Sequence, residues 1–123
     1  MIESEKILER KLVEKIKKLG GHAYKFVSPN QRGVPDRLCV LPHGITVFVE
    51  LKTTGKKPTK LQELCMNELR ALGQECVVID SSEALNKLGA DLFDRLKWMG
   101  PSIEAKSIQE AIGNYSGRKN LKL

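Results

Sequence analysis

The sequence predicts an α/β domain in which helices flank a mixed β-sheet of about four strands, in the element order αβββαβα. Three observations predict this class. Three segments carry apolar residues at helical spacing, three short strand-like segments lie between the first two of them, and an almost wholly apolar run follows the second. A chain of 123 residues holds one domain with one core, so we expect a single functional site.

The first predicted helix spans residues 5–19 and ends at Gly20 and Gly21. Its apolar residues repeat at about 100° per residue and form one stripe: Leu8, Leu12, Val13, Ile16 and Leu19. Glu5 and Glu9 project toward the same side, where a carboxylate needs a partner. Either one of them belongs to a polar site, or it lies at the edge of the stripe and pairs with a lysine.

Three strands are predicted at residues 22–27, 37–41 and 46–52. Each is rich in β-branched, aromatic or aliphatic residues and is bounded by Gly, Pro, Asn or Ser. Residues 42–44, with the sequence Pro-His-Gly, make a connection of hairpin length between the second and third strands. We therefore expect these two strands to pair antiparallel.

A second helix is predicted at residues 60–72, with Gly73 as its stop. The run at residues 75–79 is almost wholly apolar, which is typical of a strand buried on both faces beside a neighbour reached through a helical crossover. This strand is therefore expected to extend the sheet in parallel.

The third predicted helix begins at a capping box in residues 80–83 and runs through Leu96, with Gly89 as a candidate break. The apolar pattern weakens after residue 99. We therefore expect one domain at residues 1–99 and a basic C-terminal extension at residues 100–123 that is partly helical or loose.

Composition narrows the classes of function. The chain has 41% hydrophobic and 29% charged residues, and it has no apolar stretch near the roughly 20 residues of a membrane span. We therefore expect it to be cytoplasmic, or in the host cytoplasm if viral, with no membrane partner. The three cysteines and two histidines form no zinc-like cluster, and buried, reduced thiols are expected at Cys39, Cys65 and Cys76. A net charge of +6 favours a polyanionic partner.

Three charged residues interrupt the apolar strands. In the third strand Glu50 and Lys52 share one face, because alternate side chains point the same way. Gly33 and Pro35 shape an irregular turn that places Asp36 at the start of the second strand. If the hairpin register brings Asp36 toward Glu50, two carboxylates and an ammonium converge, and a hard divalent cation such as Mg²⁺ or Mn²⁺ suits that donor set.

The ordered set of Glu9, residues 33–36 (Gly-Val-Pro-Asp), residues 50–52 (Glu-Leu-Lys) and Gln62 resembles the PD-(D/E)XK nuclease superfamily, and most closely its VRR-NUC branch of virus-type replication and repair nucleases. The resemblance covers residues 5 to about 85. It implies a restriction-endonuclease-like core and a metal-dependent DNA endonuclease selective for branched DNA, such as a Holliday junction or flap, in replication, recombination or repair.

The resemblance also implies roles for individual residues. Asp36 and Glu50 would bind Mg²⁺, with Mn²⁺ as a substitute, and the main-chain carbonyl of Leu51 would be a further ligand. Lys52 would be the catalytic lysine, and Glu9 would complete the site as a helix-borne acid and a candidate ligand. Glu9 is preferred to Glu5 on the family's spacing alone.

Gln62 has two interpretations. It corresponds to the glutamine that this branch carries after the lysine, but Thr59 and Gln62 also form a capping-box pattern. Basic residues bracket the acids in sequence and are candidate contacts to DNA phosphates: Lys25, Arg32, Arg37, Lys56, Lys57 and Lys60.

Two other classes of function remain open at this stage. The chain could be a non-catalytic nucleic-acid-binding module that keeps the nuclease fold, or chiefly an assembly protein that uses its third helix and basic tail. For the enzyme, we expect duplex or branched DNA as the partner and a homodimer as the assembly, because a symmetric junction needs two cuts. With only 5% aromatic residues the chain offers little stacking surface, so selectivity for backbone shape is more plausible than reading of bases.

Overall fold

A computed structural model describes residues 1–99. The element order αβββαβα is confirmed within them, and the elements are α1 (Glu5–Lys18), β1 (His22–Lys25), β2 (Arg37–Val40), β3 (Thr46–Leu51), α2 (Lys60–Ala71), β4 (Glu75–Ile79) and α3 (Ser82–Trp98). The C-terminal extension predicted at residues 100–123 lies outside the described residues.

The four strands form one mixed sheet in the order β1-β2-β3-β4. β1 pairs antiparallel with β2, and β2 pairs antiparallel with β3, so the predicted hairpin is confirmed. A short 3₁₀ turn at Pro42–Gly44 connects its strands, with His43 in the left-handed region at a φ of 64°. β4 pairs parallel with β3 after the α2 crossover, as predicted.

Helices lie on both sides of the sheet and define two faces. On the first, here called the α1 face, the stripe of α1 and the apolar side of α3 pack on alternate residues of β3 to form the core, whose fully buried members include Leu8, Leu12, Ile16, Val47, Val49 and Leu92. On the second, the α2 face, α2 buries Cys65 and Met66. The alternation of β3 therefore assigns Val49 and Glu50 to different faces.

The last strand lies at an edge of the sheet, and the last helix is continuous. β4 lies at the sheet edge, where Cys76 and Ile79 are buried on its two opposite faces and Val77 and Val78 are half-buried. Its exposed backbone is partly covered by Arg70, whose guanidinium donates two hydrogen bonds of 3.1 and 2.9 Å to the carbonyl oxygen of Cys76. Gly89 does not break α3, because it is buried where the helix passes close to Lys15 of α1.

The three cysteines are buried and unpaired, as predicted. Burial raises the pKa of the Cys39 thiol to about 12 and that of Cys76 to about 11, which keeps both protonated at neutral pH. No helix within residues 1–99 is long and apolar enough to cross a membrane.

Candidate active site

The turn before β2 is shaped by Gly33. Its φ of +84° is readily available only to glycine, and a Cβ atom there would lie 2.9 Å from the carbonyl oxygen of Leu61. Pro35 is fully buried in the same turn. The backbone therefore presses against the first turn of α2 and delivers Asp36 to the beginning of β2.

The register of the sheet places Asp36 opposite Glu50. Arg37 pairs with Val49, and continuing this antiparallel register by one residue brings Asp36 across from Glu50. The pairing between β1 and β2 also extends to Asp36, because the Asp36 carbonyl oxygen accepts a 2.9 Å hydrogen bond from the backbone N–H of Phe26. The Asp36 Oδ2 atom accepts a 2.8 Å hydrogen bond from the backbone N–H of Leu51. This bond aims the carboxylate at the end of β3.

Glu50 is the buried charged residue of the sheet. It is 1% exposed, and neither of its carboxylate oxygens has a hydrogen-bond partner within residues 1–99. Burial, followed by repulsion from the Asp36 carboxylate, raises the pKa of Glu50 to about 7, and the charge of Lys52 only partly opposes the shift. Burial without hydrogen-bond partners therefore disfavours the ionised form of Glu50, and the ammonium of Lys52 does not fully offset this cost.

Lys52 is the cation nearest to Glu50. Its Nζ atom lies 3.7 Å from Glu50 Oε2, and its side chain is 13% exposed. Its backbone N–H donates a 3.0 Å hydrogen bond to the carbonyl oxygen of Ile79, which carries the sheet one residue past β3. The structure thus brings two carboxylates and one ammonium together on the α2 face.

Glu9 lies elsewhere. Its carboxylate pairs with Arg37, at 3.3 Å between Glu9 Oε2 and a terminal guanidinium nitrogen. Glu5 is exposed in the first turn of α1, and its backbone N–H donates a 3.3 Å hydrogen bond to the hydroxyl of Thr53. Within residues 1–99 no three acidic, histidine or cysteine side chains cluster in a way that could hold a metal ion by themselves.

The capping box predicted at the start of α2 is present. The Gln62 side-chain oxygen accepts a 2.8 Å hydrogen bond from the backbone N–H of Thr59, and the Thr59 hydroxyl accepts a 3.2 Å bond from the backbone N–H of Gln62. The part of Gln62 in the site stays a prediction. In the structure its side chain caps α2.

The predicted DNA contacts divide into two groups. Five of them are exposed, namely Lys25, Arg32, Lys56, Lys57 and Lys60. Arg37 differs from them, because its side chain is only 15% exposed and is used in contacts with Glu9 and with the carbonyl oxygen of Ala23.

Sequence reasoning missed a network that fixes the chain just after Lys52. The Thr54 hydroxyl accepts a 3.0 Å hydrogen bond from the backbone N–H of Glu3 and donates a 2.7 Å bond to the carbonyl oxygen of Asp80. Hydrogen bonds from Ser82 and Lys11 lower the pKa of Glu3 to about 2. These partners are separated by up to 79 residues in sequence, so no local pattern could have indicated them.

Comparisons with known proteins show two to which this chain is similar. The chain is 49% identical over 83 residues to a protein named "Putative nuclease p44" from Acyrthosiphon pisum secondary endosymbiont phage 1, and the match spans 68% of this chain and 89% of that protein. A solved structure described as "VRR_NUC domain" superposes with a TM-score of 0.64 at 30% identity, covering 70% of this chain and 95% of the other. No model of a protein family matches the chain.

The mixed sheet with flanking helices, together with the similarity to these two proteins, defines a nuclease core of the PD-(D/E)XK class. The chain belongs to the VRR-NUC family of nucleases, as its sequence motifs predict.

Proposed function

We propose that this nuclease is a Mg²⁺-dependent endonuclease that hydrolyses phosphodiester bonds in DNA, with Mn²⁺ as a working substitute. The observation that carries the proposal is the state of Glu50. It is fully buried, both of its oxygens lack hydrogen-bond partners within residues 1–99, and a second carboxylate lies across from it in the sheet register. Such a pair is unfavourable when both groups are ionised, unless a cation lies between them.

The donor set fits a hard divalent cation. Asp36 and Glu50 supply carboxylate oxygens, and we assign the carbonyl oxygen of Leu51 as a third ligand from the chain. Mg²⁺ in proteins is usually held by one or two carboxylates and completes its octahedron with water and substrate phosphate. The cysteine and histidine ligands that zinc prefers do not cluster within residues 1–99.

A cation bound there would supply positive charge against the phosphate oxygens and make a nearby water easier to deprotonate. The chain's own residues do the rest. Asp36 is oriented by the Leu51 N–H, so its carboxylate needs little reorganisation on binding. Lys52 presents an ammonium beside Glu50, from which it can donate hydrogen bonds to a phosphate oxygen and stabilise charge that develops as the bond to the leaving oxygen breaks.

We propose branched DNA, such as a Holliday junction or flap, as the preferred substrate, with plain duplex as the weaker one. The exposed lysines and arginine that adjoin the acids in sequence support binding to the sugar–phosphate backbone, and the 5% aromatic content supports reading of shape over stacking on bases. We also propose a homodimer, since one domain with one site makes one cut and a symmetric junction needs two.

A cleavage panel tests the proposal. Labelled junction, flap, linear duplex and single-stranded DNA are incubated with the protein in Mg²⁺, in Mn²⁺ and in EDTA. We expect cleavage in both metals, none in EDTA, and the fastest cleavage on a branched substrate. Light scattering on the same preparation reports the dimer.

The matched variants are Asp36→Ala and Lys52→Ala, which should lose cleavage while they keep the fold and bind DNA. Binding by the wild type without cleavage of any substrate would support the non-catalytic binding module in place of the enzyme.

A further inference from the structure

Arg37 joins three elements of the fold. It lies on β2, its guanidinium donates a 3.0 Å hydrogen bond to the carbonyl oxygen of Ala23 on β1, and it forms the ion pair with Glu9 on α1 at 3.3 Å. The Arg37 side chain is 15% exposed, and its Nε atom is buried without a partner within residues 1–99. Glu9 is therefore the counter-charge of a largely desolvated guanidinium.

The pair lies on the opposite side of the sheet from Glu50. Arg37 is the register partner of Val49, and directly paired residues point to the same face. Val49 packs in the core with Leu8 and Leu12 of α1, so Arg37 points to the α1 face. Glu50, one residue further on, points to the α2 face by alternation.

Arg37 is also the residue that follows Asp36. The position of the Asp36 backbone depends on the end of β2, and Arg37 fixes that end by binding β1 and α1 at the same time. Loss of Glu9 would leave the guanidinium desolvated and without its counter-charge, which favours its movement toward water. Such a movement would loosen the strand at the residue that bears the carboxylate.

We propose that Glu9 and Arg37 are positioning residues that hold Asp36 from the α1 face, and that Glu9 acts through Arg37 and is not a ligand of the metal. This inference rests on the proposed cation site at Asp36 and Glu50. It also assigns Arg37 to the interior of the domain, in place of the DNA contact that its sequence position predicts.

A double-mutant cycle tests the proposal on the DNA-free protein. The variants are Glu9→Gln, Arg37→Gln and the double variant, and the Kd for Mn²⁺ is obtained from the electron paramagnetic resonance signal of free Mn²⁺. Residues that orient metal ligands typically change metal affinity by about 10-fold or more when they are replaced. We expect each single variant to weaken Mn²⁺ binding by about 10-fold, and the double variant to weaken it no further.

The proposal would be overturned if the two substitutions affected Mn²⁺ affinity independently of each other. If Glu9 were a direct ligand, Glu9→Gln would weaken binding equally in the wild-type and Arg37→Gln backgrounds, and the double variant would lose about 100-fold. Unchanged Mn²⁺ affinity in both single variants would overturn it too. If Arg37→Gln fails to fold by circular dichroism, Arg37→Lys replaces it in the cycle, since lysine keeps the charge without the forked guanidinium.

A second ion pair provides the control for general loss of stability. Arg95 on α3 pairs with Glu75 on β4 through two contacts of 2.7 Å, away from the site and more exposed. Arg95→Gln should leave the Kd for Mn²⁺ unchanged, and an equal loss there would overturn the positioning role. Glu50→Ala separates the two proposals: if it leaves Mn²⁺ binding intact, the cation site itself is wrong, whatever the cycle shows.

Discussion

The α1 face and the α2 face of β3 can be compared residue by residue. On the α1 face, Val47, Val49 and Leu51 are at most 2% exposed and pack against α1 and α3. On the α2 face, the alternate positions Phe48, Glu50 and Lys52 include a buried carboxylate and an ammonium 3.7 Å from it. One strand therefore contributes to the core with one face and carries the proposed active-site residues on the other, because its side chains alternate with a period of two.

The largest expected effects come from truncating two neighbouring residues of β3 that point to different faces. Glu50→Ala removes a proposed ligand, so we expect cleavage to fall by about 10³-fold while the fold is kept. Val49→Ala removes buried methyl groups from the core, so we expect it to lower the free energy of unfolding by about 2 kcal/mol with cleavage by the folded protein retained.

Steady-state cleavage assays and urea denaturation measure the two effects. If Val49→Ala removes activity while its fold persists, or if Glu50→Ala cleaves normally, then chemistry and stability are not divided between the two faces.

The second prediction concerns pH. The pKa of Glu50 is raised from 4.5 to about 7 in the folded protein, so folding opposes ionisation of this group. Its contribution destabilises the metal-free protein progressively as pH rises from about 4.5 to about 7, by about 3 kcal/mol in all. Melting curves in EDTA at several pH values should show this decline in the wild type and not in Glu50→Gln.

Added Mn²⁺ should reverse the decline, and most strongly above pH 7, where Glu50 is ionised and ready to bind it. A wild type and a Glu50→Gln variant with the same pH dependence in EDTA would contradict the buried carboxylate.

The third prediction tests how the turn before β2 fits against α2. Gly33→Ala adds a Cβ atom 2.9 Å from the Leu61 carbonyl oxygen at a φ of +84°, so we expect a loss of about 2 kcal/mol and reduced cleavage because Asp36 moves. Gly73→Ala is the matched control, with a φ of +86° and nothing within 4 Å of the added atom. Gly73→Ala should be destabilised only by the backbone strain of a non-glycine residue at positive φ, and it should keep its activity. Equal losses of stability in both variants would mean that contact with α2 has no role.

The smallest expected effect separates the two interpretations of Gln62. Gln62→Ala and Thr59→Ala each disrupt the same capping box, and we expect each to lower stability by about 1 kcal/mol. If capping is the whole role of Gln62, both variants cleave DNA equally well. Cleavage lost in Gln62→Ala and retained in Thr59→Ala would place the glutamine in the active site.

Local patterns predicted the elements closely. The bounds of α1, α2 and β4 follow from the spacing of leucines and from the glycines and caps beside them, because helices and strands repeat every 3.6 and 2 residues. Local patterns were wrong about Gly89, since its low helix propensity is overridden by packing against Lys15. They did not indicate that β4 lies at the sheet edge, because that position depends on the strand order.

The sequence by itself, through its resemblance to a nuclease family, indicated which residues could form the site, and the period of a strand determined that Glu50 and Lys52 share a face. Only the tertiary structure decided that Asp36 lies across from Glu50, that Glu50 has no partner for its oxygens within residues 1–99, and that Glu9 binds Arg37. These depend on strand register and helix docking, in which side chains far apart in sequence meet. Spacing along a chain does not specify such contacts.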